Sequence, residues 1–373
     1  MSLDSSTREN DVRIVSLDVM RTIALFGIIV LNYHGYLNFS GALSTTEPSI
    51  YERWWHPFNG VLANPFPVGF VMVAGMGVSL MIGAINTKQV ITETRWRLAR
   101  RGLFLFTLGY CINWIWPGTI LPYYGAFFLT ASVIAYWSKQ KLILLGILSM
   151  IIAAGVESWR FAQNFNGNFT TWLSPAEADS PRNLLIRIFI DYTHPLFPWL
   201  AFFITGILLG RTYATFKIIR FRLLIIGVFA VGFSYLANAV IRSIADSSSQ
   251  TDQSWRELAS TRPFDRGILY VASAIGVVVT VFVVLDFLCE RYKDSQIIET
   301  ARITGQMTLT IYLAHIFIYN AVVNWWQLVT PTGLDTAMIM SIAVYASAIV
   351  WANWWHNRFG QGPAERVYRR FGG

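Results

Sequence analysis

Apolar runs of about 20 residues recur from end to end of this 373-residue chain, the length an α-helix needs to cross a ~30 Å hydrocarbon core. That repetition leaves few folds open. A soluble all-α protein needs a polar face on each helix, and most of these runs have none. Charged residues make up 13% of the chain, about half the ~25% of an average soluble domain. The chain therefore reads as an all-α, polytopic integral membrane bundle, one domain over residues 1–373.

The runs predict ten spans, at 19–38, 67–86, 102–117, 119–137, 141–157, 193–210, 223–243, 267–288, 303–325 and 337–355. The segments between them sort by charge. "KQVITETRWRLARR", "RTYATFKIIRFR" and "RVYRR" fall on one side, as do all five lysines, Lys88, Lys139, Lys141, Lys217 and Lys293. Glu47, Glu52, Glu177, Asp179, Asp246, Asp252 and Asp265 fall on the other. Cytoplasmic loops collect Lys and Arg, so both termini are expected in the cytosol, as a segment 1–18 and a tail 356–373. The net charge of +8 then reports topology and not a nucleic-acid partner. A polar start with no small-residue cleavage site argues against a removed leader. Cys111 and Cys289 have no CxxC or neighbouring histidine, and there is no HExxH, so no metal is expected. No GxSxG or Walker-type glycine loop occurs.

Polar groups inside spans are costly and face a cavity or a partner. The first span, "SLDVMRTIALFGIIVLNYHGY", carries Asp18 and Arg21 three residues apart on one face, spaced to pair, and Asn32 and His34 at its outer end. "RWWHPFNGVLANPFPVGFVMVAGMG" sets His56 before an Asn59-Gly60 turn, with Asn64-Pro65 and Pro67 opening a glycine-studded span. "DYTHPLFPWLAFFITGILLGR" places Asp191 and His194 at the outer start of the sixth span, and "GQMTLTIYLAHIFIYNAVV" places His315 inside the ninth. Each has a bland reading beside the functional one. His56 fits an interfacial aromatic belt, Asn32 an interhelical hydrogen bond, and His315 a satisfied core imidazole.

These motifs, in this order, resemble the transmembrane acyltransferases that include the YeiB-like proteins and the heparan-α-glucosaminide N-acetyltransferases. "SLDVMRTIALFGIIVLNY" is similar to the family's opening Asp, Arg-Gly, apolar run and Asn, with Thr22 in place of the glycine. "HPFNG" is similar to its histidine motif, and "GPAERVYRRFG" to the tail of YeiB-like members. The resemblance implies transfer of an acetyl group from cytosolic acetyl-CoA to a sugar acceptor across the membrane. It implies His56 as the catalytic base or acyl relay and Asn32 as the active-site asparagine. His34, Asn59, Asn64, Asp191, His194 and His315 are the supporting or acceptor-site candidates. Arg95, Arg97, Arg100 and Arg101, with Arg21, are candidates for the anionic head of the donor, because guanidinium forks suit phosphate.

The expected protein is thus an acetyl-CoA-dependent O-acetyltransferase of a bacterial cytoplasmic membrane, with His56 on the extracytoplasmic side. Its partners are membrane lipid, the thioester donor, and a saccharide or glycolipid of the envelope. In an actinobacterium that acceptor could be a mycolate-type trehalose glycolipid. A homo-oligomer is compatible with the chain, a nucleic-acid partner is not expected, and neither is a metal. Two other classes remain at this point: a transporter or flippase, and a membrane scaffold whose histidines only pack.

Overall fold

A computed structural model describes residues 14–39, 50–58, 60–82, 87–175, 177–245, 249–262, 266–330 and 333–373. Among the described residues the regular structure is helical throughout. The helices are α1 (Val15–Phe39), α2 (Ile50–Trp55), α3 (Pro65–Met81), α4 (Lys88–Ile112), α5 (Leu121–Ile134), α6 (Lys139–Phe165), α7 (Pro181–Phe189), α8 (Leu196–Arg211) and α9 (Phe216–Ile244). Then follow α10 (Gln250–Leu258), α11 (Ile268–Arg291), α12 (Gln296–Gly305), α13 (Thr308–Tyr319) with a π-helical extension Asn320–Trp325, α14 (Leu334–Phe359) and α15 (Pro363–Gly372).

Helix starts follow local chemistry. The hydroxyls of Thr87, Ser138 and Ser180 accept from the backbone N–H groups of Val90, Lys141 and Asn183, filling orphan donors of the first turn. α3, α5, α7 and α15 open with proline, whose missing N–H costs nothing there.

Among the described residues five helices are long and apolar enough to cross a membrane: Val15–Leu37, Lys139–Phe165, Tyr213–Ile244, Ile268–Arg291 and Leu334–Phe359. Gln296–Gly305 and Thr308–Trp325, which meet at 74°, add a sixth if taken as one broken span. A helix stands at each of the ten predicted stretches, yet Pro65–Met81, Leu121–Ile134 and Leu196–Arg211 are short. The third predicted span is instead the second half of α4. "KQVITETRWRLARR", read above as a loop, is its first half, started by the Thr87 cap. The predicted outer loops also carry helix: α2, α7 and α10.

Burial ranks the helices by position. The apolar stretch of α1 is 72% buried, against 11% for that of α9, so α1 is the central post and α9 a rim helix. Ile218, Phe221, Ile225, Ile226 and Phe229 of α9 are exposed, a surface suited to lipid. Close approaches fix the centre. A Cβ on Gly206 of α8 would lie 2.0 Å from the Met72 carbonyl of α3, and one on Gly75 of α3 would lie 2.1 Å from that of Phe203. Small residues let these backbones touch. Gly305, at the end of α12, lies against the Asp18 carbonyl of α1 in the same way. The break before α13 is thereby pinned to the central post.

Candidate functional site: two cavities that meet at Tyr312

Two cavities lie end to end along α1. The broader, about 640 Å³, is walled by Asn32 and Tyr36 of α1, Asn64 and Pro67 at the start of α3, the 117–120 turn, residues 191–194, Trp199, Arg266 and Tyr270. The narrower, about 280 Å³, is walled by Arg21, Met81, Arg101, Tyr124, Gln306 and, from α15, Glu365, Tyr368 and Arg369. Ile120 and Tyr312 line both. The Tyr312 hydroxyl accepts from the Ile120 N–H at 3.0 Å and donates to Thr119 Oγ1 at 3.3 Å. A fixed tyrosine and one isoleucine thus form a shared wall.

Just beyond that wall sits a dyad. His315 is fully buried, and its Nδ1–H donates to the Tyr312 carbonyl one turn back. Its Nε2 lone pair then accepts from Asn32 Nδ2, 3.3 Å away. The tautomer fixes the amide too: the atom facing Nε2 must be the nitrogen. Asn32 keeps a second N–H and its Oδ1 for the cavity it lines. The ring is held further by Trp116, edge-on at 5.7 Å, and its residue's carbonyl accepts from the Tyr33 hydroxyl at 2.9 Å.

His56 stands at the rim of the broad cavity rather than in its wall. Pro57 and Phe58, its next two residues, line the cavity; the imidazole does not. Its Nδ1 accepts from the Phe58 N–H at 3.2 Å, and its carbonyl accepts from the Gly60 N–H at 2.8 Å, closing a tight turn. A Cβ on Gly60 would meet the Trp54 carbonyl at 2.4 Å, so this turn requires glycine. His34, expected near the site, does not line either cavity. Its Nδ1–H donates to the Trp55 carbonyl at 2.9 Å and so ties α1 to the residue before His56. Burial lowers the His56 pKa below the ordinary imidazole value, and the nearby His34 lowers it further.

His194 lies in the cavity wall, half-buried, packed edge-on against Trp199 with centroids 4.5 Å apart. Its Nδ1 is shielded from solvent and has no hydrogen-bond partner. Beside it, Asp191 joins a four-charge cluster. It accepts from Arg160 at 2.7 Å, from Arg266 and from the Ser174 hydroxyl, while Glu157 accepts from Arg160 at 3.2 Å and Arg266 at 3.4 Å. Burial would push the Asp191 carboxyl up, but Arg266, Ser174 and Arg160 outweigh it and hold it below its ordinary value. Asn64 lines the cavity with its Oδ1 accepting from the Tyr270 hydroxyl at 3.1 Å. Asn59 lies outside the described residues.

Of the five arginines expected at the donor's head, Arg21 and Arg101 line the narrow cavity. Arg21 also makes the expected pair with Asp18, at 2.7 Å. The other three lie off it: Arg97 pairs with Glu93 at 3.1 Å, Arg100 donates to the Gly372 carbonyl at 3.3 Å, and Arg95 lies over the Tyr136 ring at 6.0 Å. Helical spacing, absent from the loop reading, turns Arg95 and Arg100 to other faces of α4, while Arg97, one turn before Arg101 on the same face, is engaged by Glu93. Sequence reasoning missed Tyr312, Arg266, Glu365 and Arg369. Tyr312 stands three residues before His315 in an apolar run, and Glu365 and Arg369 fall in a tail whose charge is already accounted for by topology.

Residues 13–233, more than half of the chain, match the family model described as heparan-alpha-glucosaminide N-acetyltransferase, catalytic. The chain belongs to that family. It is a family of membrane acetyltransferases, and the matched segment contains Asn32, His56, Asp191 and His194. A second model, described as protein of unknown function DUF418, covers residues 220–372, including Arg266, Tyr312, His315 and α15. No curated protein matches the chain.

Proposed function

We propose that the protein is an acetyl-CoA-dependent O-acetyltransferase of a bacterial cytoplasmic membrane. The donor occupies the narrow, basic cavity from the cytosol, and a saccharide or glycolipid acceptor occupies the broad one from the far side. One observation carries this reading: the two cavities share Tyr312 and Ile120, with guanidiniums at one end and Asn32 just past the wall. A volume of 280 Å³ is at the small end for a ligand pocket. It suits a pantetheine arm, with the phosphorylated head at the mouth among Arg21, Arg101 and Arg369. The broad cavity offers Tyr36, Tyr192, Trp199 and Tyr270, aromatic faces on which a sugar ring stacks. Asp191 and Arg266 neutralise each other there, which favours an uncharged acceptor.

The chemistry follows from the groups present. The acceptor hydroxyl oxygen attacks the thioester carbonyl carbon, and the C–S bond breaks. The hydroxyl proton passes to a histidine and then to the departing thiolate. Asn32, held by His315, donates its remaining N–H to the oxyanion, a contact worth ~3 kcal/mol in such sites. His56 is the base in this reading. The Nδ1 lone pair accepts from the Phe58 N–H, so taking up a proton at Nδ1 requires that hydrogen bond to open. His194, in the wall, binds the acceptor.

The test is purified protein with acetyl-labelled acetyl-CoA, following thiol release and label on extracted envelope lipids by mass spectrometry. Acetylated lipid that disappears in His56→Ala supports the proposal. Two cavities back to back also suit a transporter, and that reading is favoured if a lipid crosses the bilayer with no acetyl-CoA consumed.

A further inference from the structure

α15 is ten residues long and follows the last apolar helix, a position usually read as a tail. Here it is fastened at three points. The Glu365 carboxylate accepts from the Leu309 N–H at 2.7 Å, the Thr310 N–H at 3.1 Å and the Thr310 hydroxyl at 2.5 Å. It therefore caps α13, with its negative charge at the positive end of the helix dipole. Tyr368 packs under the Arg101 guanidinium, 5.2 Å from its ring centroid, and the Gly372 carbonyl accepts from Arg100 at 3.3 Å. Held this way, α15 forms one wall of the narrow cavity.

Charge at that wall is unbalanced. Glu365 is engaged by α13, and Arg21 is paired with Asp18. Among the described residues neither Arg101 nor Arg369 has a carboxylate partner. The Arg101 Nε is buried without a hydrogen bond, and one of its terminal nitrogens rests 2.9 Å from the Met81 sulfur, a weak acceptor. Arg369 is exposed at the mouth and Arg101 is set deeper. Two guanidiniums with unused donors lining one cavity call for a phosphate-bearing ligand.

We infer that α15 is a working part of the donor site, with Arg369 a specificity-determining residue that, together with Arg101, holds the phosphate-bearing head of the donor. This rests on the donor assignment above. Glu365 acts at one remove as a positioning residue, because it docks α15 onto the helix that carries Tyr312.

Equilibrium binding of coenzyme A and of dephospho-coenzyme A to the full-length, lipid-stripped protein in neutral detergent tests this. Arg370 is the internal control, being exposed, adjacent and absent from the cavity lining. Arg369→Ala is expected to weaken coenzyme A about tenfold or more, since hydrogen bonds to charged groups are worth about 1.5–3 kcal/mol. Arg370→Ala is expected to bind as wild type, and Arg369→Lys to recover part of the loss. Dephospho-coenzyme A is expected to bind Arg369→Ala and wild type more nearly alike than coenzyme A does. Equal losses in Arg369→Ala and Arg370→Ala, or none in either, overturn the inference while leaving the donor reading intact. So does an effect of Arg369→Ala on binding to phosphatidylglycerol nanodiscs alone, which would make the arginine a lipid contact. No coenzyme A binding to wild-type protein overturns the donor reading and this assignment with it.

Discussion

Asn32 of the central helix donates from its amide to Nε2 of His315 across 3.3 Å, and the opposite nitrogen of that imidazole is held by the Tyr312 carbonyl. Both side chains are thereby fixed, and Asn32 is left with one N–H for the cavity. In the proposed reaction Asn32→Ala lowers kcat about 10²–10³-fold with a smaller change in KM, the mark of a donor to the transition state. His315→Gln, which keeps an acceptor near Nε2, retains more of kcat than His315→Leu. Steady-state kinetics of the three variants check the order.

With His56 as the proposed base, its titration sets the acid side of the pH profile. Its pKa is lowered by burial and then by His34, so the ring stays neutral, and able to take a proton, below the pH at which an ordinary imidazole is half charged. Activity should fall on acidification through an apparent pKa under about 6.5. His34→Gln removes the second cause and keeps a donor for the Trp55 carbonyl, and its acid limb should move up in pH. His56→Ala should lose about 10²–10⁴-fold in rate and its acid limb with it.

How far the sequence went is visible in these residues. The Asp18–Arg21 pair follows from three-residue spacing on one helix, and Asn32 and His315 stood out as polar groups in apolar runs. Which of the histidines share a cavity did not, because that depends on how α1, α3, α8 and α13 cross. The sequence pattern grouped His34 with Asn32, yet one faces the Trp55 carbonyl and the other the cavity. That Arg95, Arg97 and Arg100 lie off the narrow cavity was hidden for a different reason. A charged run reads as a loop by hydropathy, although the Thr87 cap carries it into a helix, on which Arg101 reaches the narrow cavity and Arg97, a turn earlier on the same face, pairs with Glu93. Arg369 was hidden in a basic tail that the positive-inside rule had already explained.

The charge cluster around Asp191 should contribute to stability as well as to the cavity wall. Asp191 holds a depressed pKa, so its contribution is present above the ordinary carboxylate value near 3.9 and is lost as pH falls through the lower folded value. Asp191→Asn leaves Arg266 buried with one fewer anionic partner and should destabilise the protein by about 2–3 kcal/mol at neutral pH. Thermal unfolding in detergent across pH checks this. The difference from wild type should shrink in strong acid.

Where α3 meets α8 there is no room for a methyl group. Gly206→Ala would place a carbon 2.0 Å from the Met72 carbonyl and should cost about 1–3 kcal/mol by forcing the two helices apart. Gly232→Ala, on the rim helix α9 with open space around it, should leave the melting temperature unchanged or raise it.

In the proposed reaction donor and acceptor reach Tyr312 from opposite faces. Proteoliposomes with the protein in one orientation, acetyl-CoA supplied on a single side and acceptor lipid on the other, test it most directly. Acetylated acceptor is expected only when acetyl-CoA is on the face bearing Arg101 and α15. Transfer driven by acetyl-CoA supplied only on the face of the broad cavity would contradict it.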